Sequence, residues 1–277
     1  MNRRIEVTKA SGEKEPFSVE KLERSLQNAG AGESMIAEIL QDIEGWIFEG
    51  VTTKKIYDRA FMLLHRRQMR PGLRYKLKQA IMELGPTGFP FEKFIGELFA
   101  RQGYQVLTGQ IVQGHCVTHE VDVIATGNKI QHLMECKYSQ EQGKNVSVQV
   151  PLYVRSRMDD IIRLRMGMAE YQGFVFTGWV VTNTRFTPDS EQFGSCSGLK
   201  LLGWDYPAGS GLKELIERER VYPLTVLTGL TRKEKLSLME SGLVTCAQLK
   251  AKPESLGALG LSKKKLDAVI RELGELA

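Results

Sequence analysis

Apolar and polar positions change their rhythm twice along the chain, which divides it into three segments. In the first, Ile5 to Lys9 reads as a short strand, followed by a Ser11-Gly12 turn and a return strand into Phe17. Ser18 has the character of a helix N-cap, and Glu20 stands in the first turn, where the positive end of a helix favours a carboxylate. Leu22, Leu26 and Ala29 recur at helical spacing until Gly30 and Gly32 stop the run. Helical periodicity resumes over Met35–Phe48, Thr53–Arg67 and Leu73–Glu83. Gly85-Pro86-Thr87-Gly88 then breaks it more firmly than any other stretch, which closes a mainly α segment of residues 1–85.

The second segment, residues 86–220, opens with a helix over Phe91–Gln102. Strand-like runs follow at Tyr104–Thr108, Glu120–Ala125 and Ile130–Tyr138, the last two joined by a Gly127-Asn128 turn. An Arg- and Met-rich helix over Pro151–Tyr171, a buried strand at Phe174–Thr182 and another at Leu199–Trp204 complete an α/β layer pattern. Residues 221–277 are helical with Gly-punctuated turns and form a small all-α segment.

Composition narrows the class. With 42% hydrophobic and 26% charged residues, the chain has the make-up of an ordinary soluble protein. Met1 to Glu15 lacks the apolar core of a signal peptide. The longest apolar stretch, Phe174–Val181, falls far short of the ~20 residues that span a bilayer. These features predict a cytoplasmic protein with no membrane partner. Four scattered cysteines without a CxxC pair argue against a disulfide framework or a zinc ribbon, and His115, Cys116 and His119 read as loop residues. No GxxxxGK[ST] motif occurs, which excludes a P-loop motor. The net charge of +5 is unevenly spread: Lys and Arg exceed Asp and Glu by 15 to 12 in residues 1–85 and by 10 to 6 in 220–277. In 86–219 they fall short, 13 to 15. Basic ends around a carboxylate-collecting centre suit a polyanion held about a cation.

The candidate chemistry lies in that centre. Within a strand, Glu135 and Lys137 project from one face while Cys136 points the other way. Asp122 sits in the preceding strand, with twelve residues between it and Glu135, a spacing that lets a hairpin bring both carboxylates to one end of adjacent strands. Two converging carboxylates repel unless a cation lies between them, and a neighbouring ammonium can hold a water or a phosphate oxygen. Phosphodiester hydrolysis makes these demands, since a divalent metal polarises the phosphoryl group and lowers the pKa of a bound water.

The pattern resembles the PD-(D/E)xK nucleases, in particular the Mrr-like restriction endonucleases. The resemblance runs from about Phe89 to Tyr206 and takes in Phe91-Glu92, Gly103-Tyr104-Gln105-Val106, the Asp122 strand, Met134-Glu135-Cys136-Lys137 and Val180-Val181-Thr182-Asn183-Thr184-Arg185-Phe186-Thr187. It implies an α/β core with a central mixed sheet and Mg2+ (or Mn2+) held by Asp122, Glu135 and the Cys136 carbonyl. Lys137 would assist the attacking water, and Glu92, preferred over Glu97, would help from the leading helix. The residues before Asp122, His119-Glu120-Val121, depart from the Gly-rich approach usual in the family.

Residues 5–83 resemble the ATP-cone, a nucleotide-sensing domain, through Val7-Thr8-Lys9, the Gly12 turn, Glu15-Pro16-Phe17 and Lys21-Leu22-Glu23-Arg24-Ser25. That likeness implies ATP or dATP contacts at Val7, Lys9, Lys21 and Leu22. The turn at Ala10-Ser11 departs from the basic-then-acidic pair of the family. In the third segment, Leu227-Thr228-Gly229-Leu230-Thr231 and Leu259-Gly260-Leu261-Ser262 resemble helix-hairpin-helix elements, whose backbone N–H groups hold DNA phosphates. The three likenesses together imply a nucleotide-regulated, Mg2+-dependent endodeoxyribonuclease, expected as a homo-oligomer. The alternative is a non-catalytic, nucleotide-responsive DNA-binding protein that retains the fold.

Overall fold

The computed structural model describes residues 5–9, 12–67, 69–141 and 143–276, and of residues 69 and 70 the backbone alone. Ser11 of the expected turn, like Ala10, lies outside the described residues. Contacts divide the chain into two compact units, one of residues 1–79, 226–230 and 262–276, the other of residues 80–225 and 231–261. The third sequence segment therefore contributes to both. Among the described residues no helix is long and apolar enough to cross a membrane.

In the first unit a small hairpin pairs β1 (Glu6–Thr8) with β2 (Lys14–Pro16), setting Val7 opposite Glu15. Ser18 caps α1 (Val19–Asn28), its hydroxyl accepting from the Lys21 N–H at 3.1 Å. Helices α2 (Glu33–Trp46) and α3 (Thr53–Arg67) close over it with Leu22, Leu26, Ile39, Ile43, Ile56 and Leu64 in the core. The single helix expected over Leu73–Glu83 is instead α4 (Met69–Tyr75) and α5 (Leu77–Met82). At the break, the Tyr75 carbonyl accepts the Tyr57 hydroxyl at 2.8 Å, and the two rings stack with centroids 4.7 Å apart.

In the second unit, α6 (Phe89–Arg101) buries Phe91, Phe94, Ile95 and Leu98 completely. A five-stranded sheet is built from β3 (Gln105–Gln113), β4 (Thr118–Gly127) and β5 (Ile130–Lys137), all antiparallel, then β7 (Val175–Thr182) and β9 (Lys200–Leu202), parallel to β5. Strand β5 is central, and Gln131 to Cys136 are all buried, as expected for a strand covered on both faces. The crossover from β5 to β7 runs through β6 (Asn145–Val146) and α7 (Gln149–Met166). Helix α7 packs Val154, Met158 and Ile161 against Leu133, Val180 and Leu199. It approaches so closely that a Cβ on Gly178 would lie 2.8 Å from Leu199 Cδ1 and 2.9 Å from Met158 Cγ. A two-residue parallel pair, β6 with β8 (Arg185–Phe186), was not expected from the sequence, and β3 and β4 run longer than their apolar cores suggested. Helices α8 (Pro188–Ser197), α9 (Leu212–Glu219), α10 (Arg232–Glu240), α11 (Cys246–Ala251) and α12 (Glu254–Gly257) follow, and α13 (Lys263–Leu276) belongs to the first unit.

Candidate active site

The register of β4 and β5 pairs Val123 with Met134, so Asp122 stands across from Glu135 one step further along. The Cys136 N–H donates to Asp122 Oδ2 at 2.6 Å, fixing that carboxylate against the neighbouring strand. Strand alternation puts Lys137 beside Glu135, with Nζ 2.6 Å from Oε1. Helix α7 passes over the same side and supplies two residues that sequence reasoning did not assign to the site. The Tyr153 hydroxyl donates to Glu135 Oε1 at 2.9 Å, and Arg157 Nη1 lies 2.5 Å from Glu135 Oε2. Arg157 also donates to the Glu120 carbonyl at 3.2 Å, which ties the helix to β4. Glu135 is only 4% exposed, so this pairing is what permits a charge there.

Glu92 enters from the first turn of α6. Burial, then the charges of Asp122, Glu120 and Glu135, push its carboxyl up to about 7. Burial and the Glu135 charge push Asp122 up to about 6, against the Cys136 N–H and Lys137, which favour its ionised form. Burial works against the Lys137 ammonium, but hydrogen bonds to Glu135 and Tyr153 outweigh it and hold the group charged. The structure thus brings together Glu92, Asp122, Glu135 and Lys137. Glu97 is not in this cluster; burial raises its carboxyl and its hydrogen-bond partner is Gln248.

The donors suit a hard divalent cation. Asp122 and Glu135 stand side by side as oxygen donors, and Glu92 adds a third carboxyl near them. Among the described residues no three His, Cys, Asp or Glu side chains form a metal cage. An ion here would take two carboxylates and complete its shell with backbone carbonyl, water and phosphate oxygens, the habit of Mg2+. The Cys136 thiol is buried and held well above its usual range, so that residue could offer only its carbonyl. His119 and Cys116 serve the β3–β4 loop instead: His119 Nε2 lies 2.7 Å from Asp160 Oδ2, and the Cys116 N–H donates to Oδ1 at 2.8 Å.

In the first unit, Val7, Lys21 and Leu22 line a cleft of about 190 Å3 with Phe17, Tyr57 and Tyr75. Lys9 joins them through Glu15, which lies 3.1 Å from Lys9 Nζ and 3.3 Å from Lys21 Nζ. The volume is below the ~300 Å3 at which small-molecule sites begin, so this is a shallow recess rimmed by paired Lys and Glu side chains. The loop at Thr228-Gly229 corrects the phosphate-binding role expected for it. The Thr228 and Gly229 N–H groups donate to Glu272 Oε2 at 2.8 and 3.1 Å, and the Thr228 hydroxyl bonds to Oε1. A buried carboxylate on α13 thus takes the backbone donors that the hairpin would have offered to DNA.

Comparison with known proteins places these features. Residues 86–205 match the Mrr catalytic family, described as restriction endonuclease, and residues 222–277 match the AF1548-like C-terminal family. An Archaeoglobus fulgidus relative, described as an uncharacterized protein, is 34% identical over 180 residues, covering 64% of this chain and 97% of the relative. The crystal structure of the protein of unknown function AF1548 has a TM-score of 0.55 at 29% identity, covering 69% of this chain and 98% of that one.

Proposed function

The chain belongs to the family of its Archaeoglobus fulgidus relative and carries a restriction-endonuclease-like domain, and from that premise we propose that it is a Mg2+-dependent endonuclease acting on DNA. The observation that carries the reading is the convergence of Asp122, Glu135 and Lys137, with Glu92 beside them, at one end of β4 and β5. A divalent ion bound by Asp122, Glu135 and the Cys136 carbonyl would polarise the scissile phosphate and acidify a water. Lys137 holds that water or a non-bridging oxygen in line for attack. Glu92, poised near neutrality, can accept the proton released as water adds to phosphorus and the leaving P–O bond breaks. Tyr153 and Arg157 fix the Glu135 carboxylate so that its orientation survives substrate exchange.

The proposal extends to regulation. ATP or dATP sits at the first unit's cleft, its base against Val7 and Leu22 and its phosphates outside the recess on Lys9 and Lys21. The support is Val7, Lys21 and Leu22 around one opening, with Lys9 and Lys21 brought together on Glu15 at its edge. A second reading, a DNA-binding protein without turnover, is favoured by one observation: both oxygens of Glu135 are already held by protein cations.

Mg2+-dependent digestion of linear, circular and branched DNA by the wild type and Lys137→Ala, with and without ATP, tests all three. Cleavage by the wild type alone supports the nuclease. Binding without cleavage sinks it in favour of the second reading, and cleavage indifferent to nucleotide removes the regulation.

A further inference from the structure

The second unit holds a cationic recess that the proposed reaction does not use. It measures about 420 Å3 and is walled by Gly85, Pro86, Thr225, Arg232, Lys233 and Lys235. Lys235 is only 5% exposed, and its ammonium is committed, donating to the Thr225 carbonyl at 2.7 Å and lying 3.5 Å from Glu83. Arg232 and Lys233, by contrast, are exposed at the recess, and among the described residues neither has an ion pair shown. They are the first two residues of α10, whose end is already closed by a capping box between Thr231 and Glu234. The helix terminus is thus spoken for, and the surplus positive charge belongs to these two side chains. Leu236 and Met239 give the recess an apolar floor.

Two chain segments connect this recess to the catalytic cluster. The loop after β5 begins at Tyr138, directly beyond Lys137, and the Tyr138 hydroxyl donates to the Met82 carbonyl at 2.6 Å within reach of the Arg232 charge. Gly85 lies hard against that loop, since a Cβ there would sit 2.1 Å from Gln140 Nε2. On the other side, Pro86 leads within a few residues to α6 and Glu92. A ligand in the recess would therefore touch the Gly85-Pro86 strap, which packs against that loop and leads to Glu92.

The geometry points to this recess as a second contact for the DNA backbone, in which Arg232 and Lys233 grip a phosphate flanking the scissile one. The guanidinium fork matches two phosphate oxygens, the ammonium adds a point charge, and the apolar floor accepts a deoxyribose face. The internally satisfied loop at Thr228-Gly229 cannot fill that role.

The inference takes its ligand from the nuclease reading, but its test does not depend on turnover. Duplex binding is followed by fluorescence anisotropy with Ca2+ in place of Mg2+ over a salt series, for the wild type, Arg232→Ala/Lys233→Ala and the charge-preserving Arg232→Lys/Lys233→Arg. The double alanine variant is expected to bind about tenfold more weakly, with a salt slope shallower by about 2. The charge-preserving variant should retain the wild-type slope. Unchanged affinity and slope in the alanine variant overturn the inference while leaving the nuclease reading intact; a wild type that binds no duplex overturns the nuclease reading. Displacement of duplex by stoichiometric inorganic pyrophosphate, from the wild type and not from the alanine variant, would assign the recess to a free phosphate and overturn the DNA assignment. Matching circular dichroism melts of all three proteins establish that any loss is local.

Discussion

Asp122→Asn separates what the site needs chemically from what the fold tolerates. The amide keeps an oxygen for the Cys136 N–H and leaves no cavity, but it removes a charge that burial and Glu135 both oppose. The carboxyl rises from 3.8 to about 6 on folding. At about 1.36 kcal/mol per pH unit the whole shift is worth about 3 kcal/mol. Since the group is only partly buried, screening cuts this to roughly 1.5 kcal/mol. The sign follows from the folded state's preference for the protonated form. Stability is fully present below the unfolded value near 3.8 and is lost as the pH rises through about 6. The Asn variant, indifferent to pH here, should therefore exceed the metal-free wild type by about 1.5 kcal/mol at pH 8 and match it at pH 4. For a unit of this size that is roughly 3–6 °C in Tm. Thermal unfolding by circular dichroism in EDTA at both pH values measures it, and added Mg2+ should raise the wild-type Tm alone. A variant less stable than the wild type at pH 8, or equally stabilised at both pH values, would refute the reasoning.

Other substitutions probe the supports. Arg157→Ala leaves Glu135 with Lys137 and the Tyr153 hydroxyl; a buried pair broken on one side costs ~3–5 kcal/mol, and the partial exposure of Arg157 reduces this to about 2, read from urea midpoints at constant slope. A loss below about 0.5 kcal/mol would show that Arg157 does not sustain the Glu135 charge. Glu272→Ala strips the acceptor from the Thr228 and Gly229 N–H groups and should cost roughly 2–4 kcal/mol; those two amides should then exchange with solvent far faster, and unchanged protection would count against the assignment. Gly178→Ala drives a methyl into Leu199 and Met158, for an expected loss of about 1–3 kcal/mol in thermal or urea unfolding, while a neutral effect would mean that α7 can shift away from the sheet.

Much of this architecture was legible because its causes are local. The Ser18 cap, the apolar spacing of Leu22 and Leu26, and the strand at β5 are written in neighbouring residues. The shared face of Glu135 and Lys137 follows from strand alternation alone. Tyr153 and Arg157 were not legible as partners of Glu135, because they reach it from 18 and 22 residues away on a helix that also carries Arg155, Arg163 and Arg165. Nothing in that run marks one arginine out; only the docking of α7 does. The closing of the Thr228-Gly229 loop by Glu272 is likewise a contact across 44 and 43 residues, and so are the Asp160 bonds that tether the β3–β4 loop. Arg165 of α7 bonding to Gln131 of β5 is a further pairing of that kind.

The division of the chain has a consequence for its synthesis. The first unit draws on residues 1–79, 226–230 and 262–276, whereas the described residues of the second end at 261. A ribosome translating this message delivers every piece of the second unit before the last piece of the first exists. Helix α4, made early, must wait for α13, with its buried Val269, Leu273 and Leu276, to pack against it, which inverts the usual N-to-C order of domain completion. A nascent chain that halts after Leu261 would hold all of the sheet and its carboxylates, with the opening helices still exposed to chaperones and proteases.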